Sequence, residues 1–512
     1  MENRNNQNHF GLDSVKKSLK HFVVGKGMNI ILSLSILLSL ARLLDQADYA
    51  AFVSWQALVI LIGLISSVGT QPVLQRFLAE LRSQENNVLV YRLLTFGAIC
   101  RFGAAFTLVF LLVYCFPGLF ESLSIPGNLK LLSLFLFVGA VRVTSLTISL
   151  ALDSLLWQKL SQASLVSANI FRIVSIIYVH NFSNLTIEVV VWIELGAEIV
   201  FLSFLLFGYL ITWKKDDQRH DGNIEWWGDN KKRVVRYGAS RYIANLSKLM
   251  YGGAPNRLLV AQFMPIREVA MFGFADSLLN LGRRFAPVEL LLGFIRPIFV
   301  AKYTTTGSFS YLVKMTDIIF RFNILLLMVV AVGMAVLGEP VMNILSGYKY
   351  SEVYLLLVGF ILLLIFEGFR LNLELLIEIT ELNSISIISN SVQSLSLFIA
   401  IPFFPVCGLW AIVIANVSGT FLACAICVYQ LKKHGYSMSV DLVMSILILL
   451  NTVLTYFFSY WVYHFTNSIV LSAITILIVY GVLNFVLRPF RQEEINLLMK
   501  IISKKKGRRL DV

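Results

Sequence analysis

The chemistry in this chain rests on ionisable side chains placed inside long apolar stretches. Arg101, Arg142 and Arg172 lie in such stretches in the first half. In the second half stand Arg241, Lys248, Asp276, Arg283, Arg284 and Glu289, then Arg321, Glu367, Arg370, Glu374 and Glu378. An ion at the centre of a membrane helix costs about 2.5–3.5 kcal/mol on insertion scales, so it normally faces a water-filled cavity or a partner of opposite charge. Arg241 and Lys248 are seven residues apart with Asn245 between them, two turns up one helical face. Asp276, Asn280 and Arg283 repeat that arrangement. Guanidinium and ammonium groups in such a stripe bind phosphate or carboxylate oxygens. Glu367, Arg370, Glu374 and Glu378 also share one face. Arg370 can pair with Glu367 or Glu374, and a carboxylate left in excess could take up and release a proton. The same face would serve equally as a salt-bridged stripe between helices, and Arg241 and Arg284, near helix ends, can snorkel to the interface. Lys248, Arg241, Arg283, Arg142, Arg101, Arg172 and Arg321 are therefore the candidate anion ligands. Glu374 leads the ion-coupling candidates, with Glu367 and Asp276; Glu188, Glu194 and Glu198 form a weaker acidic set.

The elements that must position these groups are membrane helices. The chain has 512 residues, 57 % of them hydrophobic, and a mean hydropathy of +0.75. A soluble enzyme does not have that composition. A span needs about 20 apolar residues. The apolar runs predict about 14 spans: 23–41, 50–71, 93–116, 131–152, 162–180 and 187–211, then 238–262, 268–298, 316–338, 352–378, 384–404, 407–430, 441–463 and 468–488. Continuous runs of this length are helical, not the alternating strands of a barrel. Lys and Arg crowd into every second gap, among them Lys16, Lys17, Lys20, Arg76, Arg82, Arg92, Lys159, Lys432 and Lys433. The opposite gaps hold only Arg42, Lys130, Arg267 and Lys349. The crowded side is read as cytoplasmic, with both termini inside and an even number of spans. Positive-inside sorting accounts for the net charge of +13 and leaves no need for a nucleic-acid partner. The five cysteines read as packing residues, the Cys424-x-x-Cys427 pair included, so no metal site is expected. The polar N-terminal segment does not read as a cleavable signal peptide, and the first apolar run is expected to stay as the first span.

The basic stretch 213–236, rimmed by Trp226 and Trp227, separates six spans from the next six, and its tryptophans are expected in the headgroup layer. The predicted plan is an N-terminal segment 1–22, a first lobe 23–211, an inter-lobe loop 212–237, a second lobe 238–430, two further helices over 431–488 and a basic tail 489–512. A weak repeat supports two lobes: Arg42-Leu43-Leu44 then Asp48-Tyr49-Ala50-Ala51-Phe52, and Arg257-Leu258-Leu259 then Glu268-Val269-Ala270-Met271-Phe272. In each, a basic residue closes one span and an acid opens the next. Duplicated halves are common in transporters.

On these motifs, with Val68-Gly69-Thr70-Gln71, Asn256 through Arg296-Pro297 and the tail Arg491–Leu498, the chain resembles polysaccharide-type flippases of the multidrug/oligosaccharidyl-lipid/polysaccharide exporter superfamily. The likeness covers nearly the whole chain. It departs at Ala50 and Ala270, where the family often has Gly, and at Asn256, where it often has Asp. The resemblance implies an all-α polytopic protein with two pseudo-symmetric six-helix lobes around a central cavity, plus two C-terminal helices. It implies a bacterial inner-membrane flippase moving an undecaprenyl-pyrophosphate-linked oligosaccharide, such as an O-antigen or capsule unit, by alternating access. A polysaccharide polymerase would be a natural partner beside the membrane lipids. No cofactor is expected; a proton or sodium gradient could drive the cycle.

Two rivals stand beside this reading. A cation-coupled drug antiporter of the same superfamily would favour an acidic cavity. A glycan polymerase or glycosyltransferase would need a large outer loop, and Asp45 and Asp48 in a ten-residue turn read as turn chemistry. A flippase for a lipid-linked peptidoglycan precursor is a near neighbour of the favoured reading. No nucleotide-binding glycine loop is present.

Overall fold

Asp45 shows how the short outer turns define the helices. Its carboxylate accepts from the amide of Asp48 at 2.7 Å and caps the helix that follows. Asp48 accepts from the amide of Ile187 at 2.7 Å, at the start of another helix. Both acids are thus spent on orphan helix-start amides, the turn chemistry expected of them.

The computed structural model describes residues 12–84, 86–216, 225–286, 308–380, 382–436 and 441–491, together with Val288, Phe299, Tyr303 and Glu494. Among these residues the chain is all-helical, with no strand. Helices α1 (Leu12–Leu43), α2 (Gln46–Ile65), α3 (Thr70–Ser83), α4 (Asn87–Phe110), α5 (Gly118–Ser122), α6 (Leu129–Ser154), α7 (Gln158–Phe182) and α8 (Ile187–Asp216) come first. Then follow α9 (Glu225–Leu246), α10 (Gly253–Phe263) and α11 (Ile266–Arg283). The last group is α12 (Phe309–Ser346), α13 (Val353–Ile379), α14 (Asn383–Leu395), α15 (Ala400–Cys407), α16 (Trp410–Lys433), α17 (Leu442–Thr466) and α18 (Ile469–Leu487).

Twelve helices among the described residues are long and apolar enough to cross a membrane, by length and composition. The difference from the expected fourteen lies in two stretches. The run 238–262 is broken: α9 ends at Leu246, a turn follows, and α10 starts after Gly252, whose φ of +116° is left-handed. The run 268–298 is helical to Arg283, and Glu289 and Arg296-Pro297 fall outside the described residues.

Three further boundaries move. The expected span 50–71 stops at Ile65, where Val68 (φ +40°) and Gly69 (φ +73°) turn the chain into the amphipathic helix α3. A Cβ on Gly69 would stand 2.4 Å from the Gly238 carbonyl oxygen, so α9 approaches too closely for any side chain there. The N-terminal segment runs into the first span as one helix from Leu12, and the expected loop 212–237 is helical to Asp216 and again from Glu225. Trp226, expected in the headgroup layer, meets Phe77 edge-on at 6.1 Å and packs with Trp227 on the core beneath α3.

The chain divides into two compact units, 1–277 and 278–512. In the first, α1 packs on α7, α7 on α8, α4 and α8 on α6, and α2 on α6 and α10. In the second, α12 packs on α13, α13 and α14 on α16, and α17 on α12 and α18. Cys424 and Cys427 sit buried with Leu373, Ile377 and Leu431, as packing residues.

Candidate functional site

Helix α6 carries Arg142, and α8 presents Glu194 and Glu198 one turn apart on the face toward it. Arg142 Nη1 lies 3.3 Å from Glu194 Oε2, and its Nε 3.7 Å from Glu198 Oε1. From α7, Arg172 reaches the same two carboxylates at 3.0 and 2.6 Å. Each glutamate is therefore shared by two guanidiniums. The Arg172 side chain is only 5 % exposed, whereas that of Arg142 is 33 % exposed. Arg172 is the buried anchor and Arg142 the member in reach of a ligand.

A chain of amides fixes the anchor. Arg172 Nη1 donates to Asn169 Oδ1 at 2.9 Å, Asn169 donates to Asn29 at 3.1 Å, and Asn29 donates to Gln162 at 3.2 Å. This relay joins α7 to α1. Glu198 Oε2 is buried and has no hydrogen-bond partner among the described residues.

The group opens onto a cavity of about 370 Å³ walled mainly by α2 and α6, with Gln71 of α3, Arg101 of α4 and Glu194 of α8. Its walls are mostly apolar, with Val59, Phe135 and Leu146 among them. Its ionisable lining residues are Arg101, Arg142 and Glu194, two cations to one carboxylate. Gln56 and Gln71 add neutral donors and acceptors. Arg101, on α4, donates from Nη1 to Ser66 Oγ at 3.2 Å and from Nη2 to the Gly63 carbonyl oxygen. No carboxylate neutralises it in those contacts. An apolar cavity with two fixed guanidiniums suits an amphiphile with an anionic head.

The other predicted residues are not gathered into this cavity. Arg241 and Lys248 do not share a two-turn helical face, because the helix between them ends at Leu246; Lys248 sits exposed in the turn, and Arg241 lies 5.7 Å from the Tyr237 ring. Asp276 receives Arg257 Nε at 2.8 Å in a buried pair, and Arg257 also donates to Ser277 at 2.9 Å. Arg257 stands inside α10 and not at its end, so the basic step of the second repeat does not close a span.

In the second unit Arg283 pairs with Glu367 at 3.0 Å and donates to Asn280 at 3.3 Å. Arg370 takes Glu374 at 2.7 Å and Asn390 at 2.9 Å. Arg321 is a clasp: it meets Asp317 at 2.9 Å, Glu494 at 2.6 Å and the Pro489 carbonyl oxygen at 3.0 Å, with Phe490 5.5 Å away. Burial pushes the Glu494 carboxyl up, but hydrogen bonds from Arg321 and the Arg491 amide, with their charges, outweigh this and hold it below its ordinary value.

No family model matches the chain, and no curated protein matches its sequence. Solved structures do. The lipid II flippase MurJ in an inward closed conformation is similar at a TM-score of 0.67 and 14 % identity, over 91 % of this chain and 98 % of that one. The fold is that of MOP-superfamily transporters. An inward-facing multidrug resistance transporter of the MATE family is similar at 0.53 and 16 % identity, over 79 % of this chain and 94 % of its own. A MOP-superfamily transporter from Pyrococcus furiosus, described by the reverse polarity of its binding pocket, gives 0.50 and 16 % over 82 % and 95 %. Twelve membrane-length helices and this MOP-type fold make the chain a multi-pass membrane protein.

Proposed function

We propose that the protein is a flippase for an undecaprenyl-pyrophosphate-linked oligosaccharide, carrying surface-polysaccharide repeat units across the bacterial cytoplasmic membrane. The observation that carries this reading is the composition of the first-unit cavity: two guanidiniums, Arg101 and Arg142, against one carboxylate, in apolar walls. The pyrophosphate would meet Arg142, held in place by Glu194 and Glu198, while the prenyl chain stays in the bilayer. No bond is made or broken. The work is alternating access of one anionic head group, with both termini on the cytoplasmic side.

Coupling to a proton or sodium gradient has a better-built candidate than Glu374. Glu198 is buried beside the cavity and has an oxygen with no described partner, whereas Glu374 is engaged by Arg370. Glu194 in the cavity wall favours a second reading, a cation-coupled drug antiporter, because a carboxylate there could also meet a cationic drug.

Complementation separates the two. In a bacterium lacking its own O-unit flippase, wild type restores surface polysaccharide, Arg142→Gln reduces it, and Lys248→Ala and Glu374→Ala do not, at equal membrane abundance. Failure with several O-unit types, combined with protection against cationic drugs, would move the assignment to the antiporter.

A further inference from the structure

Helix α9 meets α3 and the beginning of α4 along the face that carries Trp226, Trp227, Lys231 and the buried Val234. Between them lies a pocket of about 440 Å³, separate from the cavity that holds Arg101 and Arg142. Its floor is apolar, made by Leu81, Leu89 and Leu93, with the two tryptophans at the side. Its two charged lining groups, Arg92 and Lys231, are both cations, and no carboxylate lines it among the described residues.

The pocket's depth follows from its neighbours. Leu89 and Arg92 occupy the first two turns of α4, where the next span begins. The pocket therefore sits where apolar spans give way to polar chain, the level of lipid headgroups. Phe96 forms its edge and is 60 % exposed; Ile99, one turn further along α4, is 65 % exposed. These two continue the apolar path along the lipid-facing side of the helix.

We propose that this pocket binds one anionic phospholipid of the surrounding membrane. The phosphate sits between Arg92 and Lys231, where each cation offers charge-assisted hydrogen bonds. The upper acyl carbons cover Leu81, Leu89 and Leu93 and lie against the tryptophan rings, and the chain continues past Phe96 and Ile99. The two cations repel the ammonium of a zwitterionic headgroup, so the site selects net negative charge. The bound lipid pins α9 against α3 and α4 at the membrane surface.

The test is native mass spectrometry on the full chain in detergent, titrated with phosphatidylglycerol or phosphatidylethanolamine. Wild type retains phosphatidylglycerol at least tenfold better. Arg92→Gln with Lys231→Gln abolishes that preference, and Arg236→Gln, on another face of α9, preserves it. Equal retention of the two lipids by wild type, phosphatidylglycerol retention unchanged in the double variant, or an equal loss in Arg236→Gln would each overturn the site. Phosphatidylglycerol with brominated chains quenches wild-type tryptophan emission, and Trp226→Phe with Trp227→Phe removes part of that quenching. Unchanged quenching in that variant would place the chain elsewhere.

Discussion

The buried charges of the two units are organised differently. In the second unit the arginines serve as local stitches: Arg370 to Glu374, Arg283 to Glu367, and Arg321 to Asp317 and the tail residue Glu494. In the first unit Arg142 and Arg172 share both Glu194 and Glu198, and one of the two arginines is left half-open to a cavity. A stitch, within one helix as for Arg370 and Glu374 or between two as for Arg283 and Glu367, is finished once the pair is made. A shared cluster holds a guanidinium at a fixed position while its outer face stays available, which is the preorganisation a ligand site needs.

Breaking the anchor should have the largest effect. Arg172→Met leaves Glu194 and Glu198 buried with only the half-open Arg142, and loss of one partner from a buried ion group costs about 3–5 kcal/mol. The expected outcome is a strongly lowered thermal unfolding midpoint in detergent, with no rescue by added salt. Arg142→Gln should separate from it: a nearly unchanged midpoint, with transport reduced by more than tenfold. If both variants unfold alike, the division between anchor and ligand-facing arginine is wrong.

A second comparison concerns the repeat. Asp48 and Glu268 are each the third residue of their helices, and Val53 and Gly273, five residues further on in each, are in contact. A Cβ on Gly273 would lie 2.4 Å from Val53 Cγ2. Contact between a position and its repeat counterpart is the pattern expected beside a local two-fold axis. Gly273→Leu should cost about 1–3 kcal/mol by overpacking, and Val53→Ala in the same chain should recover part of it. Circular dichroism melts of the two variants check this.

The smallest effect is expected at the tail. The Glu494 carboxyl is held below its ordinary value, so its contribution is complete above the unfolded-state value and is lost as pH falls through the folded one. Hydrogen exchange around residues 488–494 should speed up as the medium is acidified through the carboxylate range. Glu494→Gln should remove that pH dependence while leaving exchange in α6–α8 unchanged.

Much of the architecture was legible because lipid permits few solutions. Long apolar runs had to be helices, and twelve of them are of membrane length among the described residues. Pairs at helical spacing were legible too: Arg370 with Glu374 lies within one turn, and the structure makes that bond. The Arg142–Glu194 contact joins residues 52 apart in sequence, and no periodicity relates two helices across a bundle. The sixth-span glutamates therefore read as a weak acidic set, whereas in the structure two arginines share them. The expected helical stripe through Arg241 and Lys248 is broken for a different reason. Hydropathy sums apolar residues across 238–262, whereas the backbone breaks at residues 247–252, where Gly252 takes a left-handed φ. Arg321 illustrates the reverse: buried charge signals a partner, and here the partner is the chain's own C-terminal segment.

The most direct measurement is translocation in reconstituted vesicles. A fluorescent undecaprenyl-pyrophosphate-linked oligosaccharide is placed in both leaflets, and its accessibility to a membrane-impermeant quencher is followed with wild type and Arg142→Gln. Rapid exchange by wild type, slowed more than tenfold in Arg142→Gln at equal reconstitution, is the predicted result. No exchange of the lipid-linked sugar by wild type, together with gradient-driven movement of a cationic dye that survives Arg142→Gln and is lost in Glu194→Gln, would contradict the account.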